Sequence, residues 1–110
     1  MTRLEALKEL AKKVEAGEFP ASVADSAFDS GPDVTHHLAK AQTAFFGSLD
    51  AAKALHEAVL PGWDWRVQDM GRPAAVLAKG ENVIECRGNT PASAWLSAIL
   101  QTLIAQEESA

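Results

Sequence analysis

Only one cysteine stands in the 110 residues, Cys86, so no disulfide can form within the chain. Apolar runs are short, and charged or strongly polar residues interrupt each of them before the roughly 18 residues that a bilayer-crossing helix needs. The start of the chain, MTRLEALKEL, alternates charge with leucine and offers no signal-peptide core. Dense carboxylate runs are missing too: Glu107-Glu108 is the one acidic cluster, read as a solubilising end. A net charge of -5 is too weak for mimicry of DNA and disfavours a phosphate-binding surface. These absences predict a cytoplasmic protein that neither spans a membrane nor is secreted, with nucleic acid an unfavoured partner.

What is present is 47% hydrophobic and 23% charged residues, enough to give one domain over 1–110 a modest core without disulfides or metal. Thr2 followed by Glu5 is a capping box. Leu4, Leu7, Leu10 or Ala11, and Val14 recur on one helical face, Glu9 reaches Lys13 one turn on, and Gly17 supplies the stop. Pro20 can open a short helix through ASVADSAF, ended by the turn residues Asp29-Ser30-Gly31-Pro32. Asp33 or Thr35 can cap HHLAKAQTAFF, with Leu38, Ala41 and Phe45 on one side and Gly47 as the next interruption. Ser48 caps LDAAKALHEAV, whose Leu49, Ala52, Leu55 and Val59 share a face, and Pro61-Gly62 ends it.

The period then falls from helical to two. Trp63, Trp65 and Val67 point one way, Asp64, Arg66 and Gln68 the other, which predicts a strand with one apolar face and makes core packing the first reading of the tryptophans. A binding role would require an indole left open at the sheet edge. After MGRP, the run Ala74 to Ala78 is apolar on both faces; after KGEN, Val83 to Arg87 forms a third strand. An uncharged middle strand implies that helices cover both sheet faces. Thr90 and Pro91 open the last helix, whose stripe of Ala92, Trp95, Leu96, Ile99, Leu100, Leu103 and Ile104 predicts deep packing. The expected class is α+β: a three-stranded antiparallel meander sandwiched between helices in α/β/α layers, in the order helix-helix-helix-β-β-β-helix.

Candidate chemistry is thin. His36 and His37 are adjacent and diverge by about 100° on a helix, so they cannot ligate one metal from one face. His56-Glu57 lacks the second histidine of a zinc-protease motif, since Leu60 stands in its place, and the histidines are expected to be exposed or at helix ends. Cys86 shares the parity of Ile84 and reads as an interior thiol, a poor nucleophile. Ser26, Ser30, Ser48 and Ser93 lack a nucleophile elbow, and one glycine before a capping threonine in RGNTP is a weak anion signal. No catalytic, cofactor or metal residue is assigned. Because no charge falls between Gly88 and Gln106, the outer face of the last helix, Ser93, Ser97 and Gln101, is expected to be a contact surface, joined by His36, His37 and Lys40 of the middle segment. Its partner would be a protein or a second copy in a homodimer. The alternative is nucleic-acid or nucleotide binding over the sheet through Arg66, Arg87 and Lys79, opposed by Asp64 and Glu85 beside them. The α-β-β-β-α order also matches the double-stranded-RNA-binding domain on topology, without its lysine-rich start to the last helix.

Ser48-Leu49-Asp50-Ala51-Ala52, Gly62-Trp63-Asp64-Trp65 and Thr90-Pro91-Ala92-Ser93-Ala94 together resemble the phage ABA sandwich domain, a family of small phage and prophage proteins. SVADSAFDSG resembles the short acidic-alanine helix that often precedes those motifs. The resemblance implies an α/β/α arrangement and a phage- or prophage-encoded protein working in the cytoplasm of a bacterial host. It implies no reaction and no ligand. The GPDVTHHLAKAQTAFF segment and the HEAVLPG connection depart from the family pattern, and are where features particular to this chain are expected. The resulting expectation is a non-enzymatic accessory protein acting by protein binding, such as an inhibitor of host defence.

Overall fold

Thr2 and Glu5 close the predicted box at the start of the first helix: the Glu5 amide donates to Thr2 Oγ1 at 3.2 Å, and the Thr2 amide returns to Glu5 Oε1 at 3.3 Å. Donation from Thr2 also holds the Glu5 carboxyl below its ordinary range. The computed structural model describes residues 2–28, 34–69 and 71–109, excepting the side chains of Asp25, Val34, Thr35 and His36. Its elements are α1 (Arg3–Glu15), α2 (Ala21–Ala27), α3 (Val34–Phe45), α4 (Leu49–Val59), β1 (Asp64–Gln68), β2 (Ala74–Lys79), β3 (Asn82–Arg87) and α5 (Pro91–Ser109). The class is α+β, with helices on both sides of the sheet in sequence. Four helices precede the sheet among the described residues, because ASVADSA forms a helix of its own. The turn expected at 29–32 and the Asp33 cap expected for the next helix lie outside the described residues, as does Met70 of the MGRP turn; Thr35 lies inside α3, so it is not a cap.

The local signals act as their chemistry dictates. Gly17 stands at φ +87° after α1. Lys13 turns forward to Glu18 at 3.7 Å, not back to Glu9 as expected. Ser48 Oγ accepts from the Ala51 amide at 3.2 Å. Leu60-Pro61-Gly62-Trp63 is a turn of type II pattern, with proline second, Gly62 at φ +88°, and the Trp63 amide donating to the Leu60 carbonyl at 3.2 Å. The strands form an antiparallel sheet in the order β1-β2-β3, with Trp65 opposite Leu77 and Leu77 opposite Ile84.

In space the layers depart from the expected sandwich. One sheet face, carrying Trp65, Leu77, Ile84 and Cys86, packs on α5, and α1, α3 and α4 pack on α5 from elsewhere on its surface. Among the described residues no other helix makes more than marginal contact with a strand. The second sheet face therefore stands open: Asp64, Arg66, Gln68, Val83, Glu85 and Arg87 are exposed on it, around half-buried Val76 and Ala78. The lack of charge from Ala74 to Ala78 reflects the central place of β2 in the sheet, not a helical cover on both sides.

Helix α5 is the centre of the molecule. Every residue from Ala92 to Leu100 and from Thr102 to Ile104 is buried, the pattern of a helix enclosed all round. Gly88 lets the chain run flush into it, since a Cβ there would stand 2.7 Å from the Ala94 amide nitrogen. Its far end is tied down too. Arg3 donates to Glu107 at 2.7 Å and to the Ala27 carbonyl at 3.1 Å, and Lys8 meets Glu108 at 3.2 Å. The acidic pair thus fastens α5 to α1, and is more than a solubilising end; the two cations offset its unfavourable place at a helix C-terminus.

Candidate functional site

The three tryptophans and His56 form one assembly. His56 lies on α4 and is 2% exposed, so it is a core residue and not the exposed or terminal histidine expected from the sequence. The indole Nε1–H of Trp95, on α5, donates to His56 Nδ1 at 3.2 Å. Because an indole can only donate, the ring proton of His56 resides on Nε2, which lies 2.9 Å from the Trp63 carbonyl and donates to it. That bond pins the residue leading into β1. Two positions on, the Trp65 ring lies over Trp95 with centroids 4.5 Å apart and planes inclined by 32°. The Trp63 Nε1–H is buried without an acceptor among the described residues.

Trp63 and Val67 are half-buried against the core, as their parity predicts. Trp65 is not. It is 45% exposed, because β1 is the first strand of a meander and has a neighbour on one side only. Leu49, expected on the packed face of α4, is 46% exposed beside it. A cleft of about 390 Å³ runs between the start of α4 and β1, walled by Leu49, Trp65, Val67, Pro91 and Trp95, with Asp50, Lys53 and Asp69 at its rim. Phe46, at the junction of α3 and α4, is 75% exposed. This edge is the open apolar aromatic surface that a binding role requires.

Two of the residues expected to form a partner-contact surface are closed to a partner. Ser93 and Ser97 are buried. Ser93 Oγ accepts from the Thr90 amide at 3.0 Å and the Ser93 amide donates to Thr90 Oγ1 at 3.0 Å, a reciprocal cap that consumes both hydroxyls. Gln101 is half-buried at a groove with Cys86 and Ile104. On α3, Lys40 is half-buried, and half-buried His37 meets Phe28 edge-on at a centroid distance of 6.5 Å; the His36 side chain lies outside the described residues. An uncharged helix signals an interior position as readily as an interface, and here it is interior.

The alternative basic face is not brought together either. Arg66 and Arg87 lie on the open sheet face, whereas Lys79 has the opposite parity and borders a groove with Trp63 and Thr102 on the α5 side. Arg87 reaches Glu85 at 3.7 Å, and Asp64 shares the face, so the face carries two carboxylates as well as two cations. Among the described residues no cluster of three histidine, cysteine or carboxylate groups is placed to hold a metal.

Cys86 is half-buried on the α5 side of β3. Burial pushes its thiol up to about 11, with Glu15 and Glu85 adding repulsion. At pH 8 the thiolate fraction is then about 10⁻³. Iodoacetamide should label Cys86 on the order of 100-fold more slowly than a free thiol of ordinary pKa at that pH, with the rate climbing about tenfold per pH unit toward pH 11. Mass spectrometry of timed samples would read this; labelling as fast as glutathione would show a thiolate the fold does not account for.

The fold and the cleft define an α+β domain with a central buried helix and an open aromatic sheet edge. No protein-family model, curated protein or solved structure matches the chain. No helix among the described residues is long and apolar enough to cross a membrane.

Proposed function

We propose that this chain is a non-enzymatic accessory protein that acts by binding another protein chain, and that its contact surface is the β1 edge with the Trp65 cleft. The observation that carries the reading is the placing of Trp65 and Leu49, two large apolar side chains, in the open along one cleft at an unpaired strand edge. Exposed aromatics beside a cleft are the usual anchors of protein interfaces, and a free strand edge adds backbone hydrogen bonds to them. The resemblance to phage ABA sandwich proteins supplies the setting: a phage- or prophage-encoded protein in a bacterial cytoplasm, with an inhibitor of host defence as one role of this kind. The motif residues behind that resemblance include the Ser48 cap and Trp65 itself, so they stand at the same edge.

The reading is tested by capture from nuclease-treated bacterial lysate on the tagged full chain, wild type beside Trp65→Ser. Trp65 is half open, so the variant should keep a wild-type far-ultraviolet spectrum. Wild type should retain a protein that Trp65→Ser loses by about tenfold or more, the scale of an interface anchor. Equal capture by both, or recovery that nuclease abolishes, would overturn the assignment of this edge.

A further inference from the structure

We propose that the first occupant of the β1 edge is a second copy of the chain, paired antiparallel through β1 with the twofold axis at Trp65. The inference rests on the protein-binding reading above and gives it a specific partner. Strand Asp64-Trp65-Arg66 is complementary to itself. With Trp65 opposite the partner's Trp65, antiparallel pairing sets Asp64 opposite the partner's Arg66 and Arg66 opposite the partner's Asp64. Both ion pairs fall on the open sheet face, and the two indoles meet on the α5 side, where Trp65 is 45% exposed.

Three features of the isolated chain favour this occupant. Asp64 and Arg66 are exposed, and among the described residues neither has an ion-pair partner, although Glu85 and Arg87 at the same spacing on β3 meet at 3.7 Å. Strand β1 pairs with β2 residue for residue from Asp64 to Gln68 without proline or bulge, and its two exposed charges, Asp64 and Arg66, are of opposite sign, so they repel other edges but match a second copy. The opposite edge, β3, has Glu85 and Arg87 around Cys86, but those charges are already engaged and Cys86 offers no large apolar contact. Joining two copies at β1 makes a continuous six-stranded sheet with both α5 helices on one side.

Sedimentation equilibrium on the full chain over a concentration series tests the pairing through charge reversal. Wild type should dimerise. Asp64→Arg and Arg66→Asp should each weaken self-association by about tenfold or more, because each turns two attractive cross-strand pairs into repulsive ones. Mixed one to one, the two variants should recover wild-type affinity, since every facing pair is again opposite in sign; the double variant D64R/R66D should recover it alone. A misfolded variant could not give that rescue. A wild-type monomer at all concentrations, or a dimer indifferent to these reversals, would overturn the proposal. A monomer that still captures a lysate protein through Trp65 would leave the binding reading standing, whereas a monomer that captures none would remove both.

Discussion

Replacing His56 with alanine should cost about 3–4 kcal/mol of folding stability, lowering the melting temperature by on the order of 10–20 °C. The ring satisfies two groups outside α4, the buried Trp95 indole N–H and the part-buried Trp63 carbonyl just before β1, at 3.2 Å and 2.9 Å. Removing it strands the indole N–H in the core at about 1–3 kcal/mol, takes the bond from the Trp63 carbonyl at about 1 kcal/mol, and leaves a void behind. Partial mimics separate the two bonds. Asparagine places an oxygen near the Nδ1 position and can still accept from Trp95. Glutamine places an amide N–H near Nε2 and can still donate to the Trp63 carbonyl. Each should recover about half of the loss, as read by urea unfolding. An alanine variant within 1 kcal/mol of wild type would mean that His56 is incidental to the core, and that Trp65 owes its position to β2 pairing alone.

How far the sequence discloses this arrangement depends on the range of the interaction. Thr2 with Glu5, Ser48, Pro61-Gly62 and Thr90-Pro91 are local devices whose partners lie within a few residues, and the helices and turns stand where these residues indicate. The alternation Trp63-Trp65-Val67 likewise places all three on the α5 side. Exposure is a longer-range property. Trp65 has the parity of a core residue, but β1 lacks an outer neighbour, so one side of its indole stays open. His56 shows the converse: on α4 it looks like an ordinary polar position, and only the approach of Trp95, 39 residues on, makes it an interior acceptor. The end of α5 followed the same logic, because Glu107 finds Arg3 at a separation of 104 residues. The edge position of β1 was nonetheless readable, since the first strand of any meander has one free side.

The uncharged stretch from Gly88 to Gln106 posed the sharper choice, between a helix with an open contact face and a helix closed in all round. Ser97 decides it. It is 2% exposed, with the sheet on one side of α5 and three other helices packed around the rest. On an exposed face, a charge at Ser97 would change stability by no more than about 0.5 kcal/mol. At the buried position both Ser97→Glu and Ser97→Lys should cost about 3 kcal/mol or more, since loss of hydration penalises either sign. Sign-independence is the discriminating feature, because Glu15 and Arg87 both border the small cavity of about 150 Å³ beside Ser97, so an introduced charge of either sign meets one like and one opposite neighbour and loses its hydration in either case. Ala98→Glu, fully buried and not lining that cavity, should be at least as damaging. Thermal melts of the three variants read the outcome directly. If Ser97→Lys melts within about 2 °C of wild type, the outer face of α5 is open after all, and the contact surface returns from the β1 edge to the last helix.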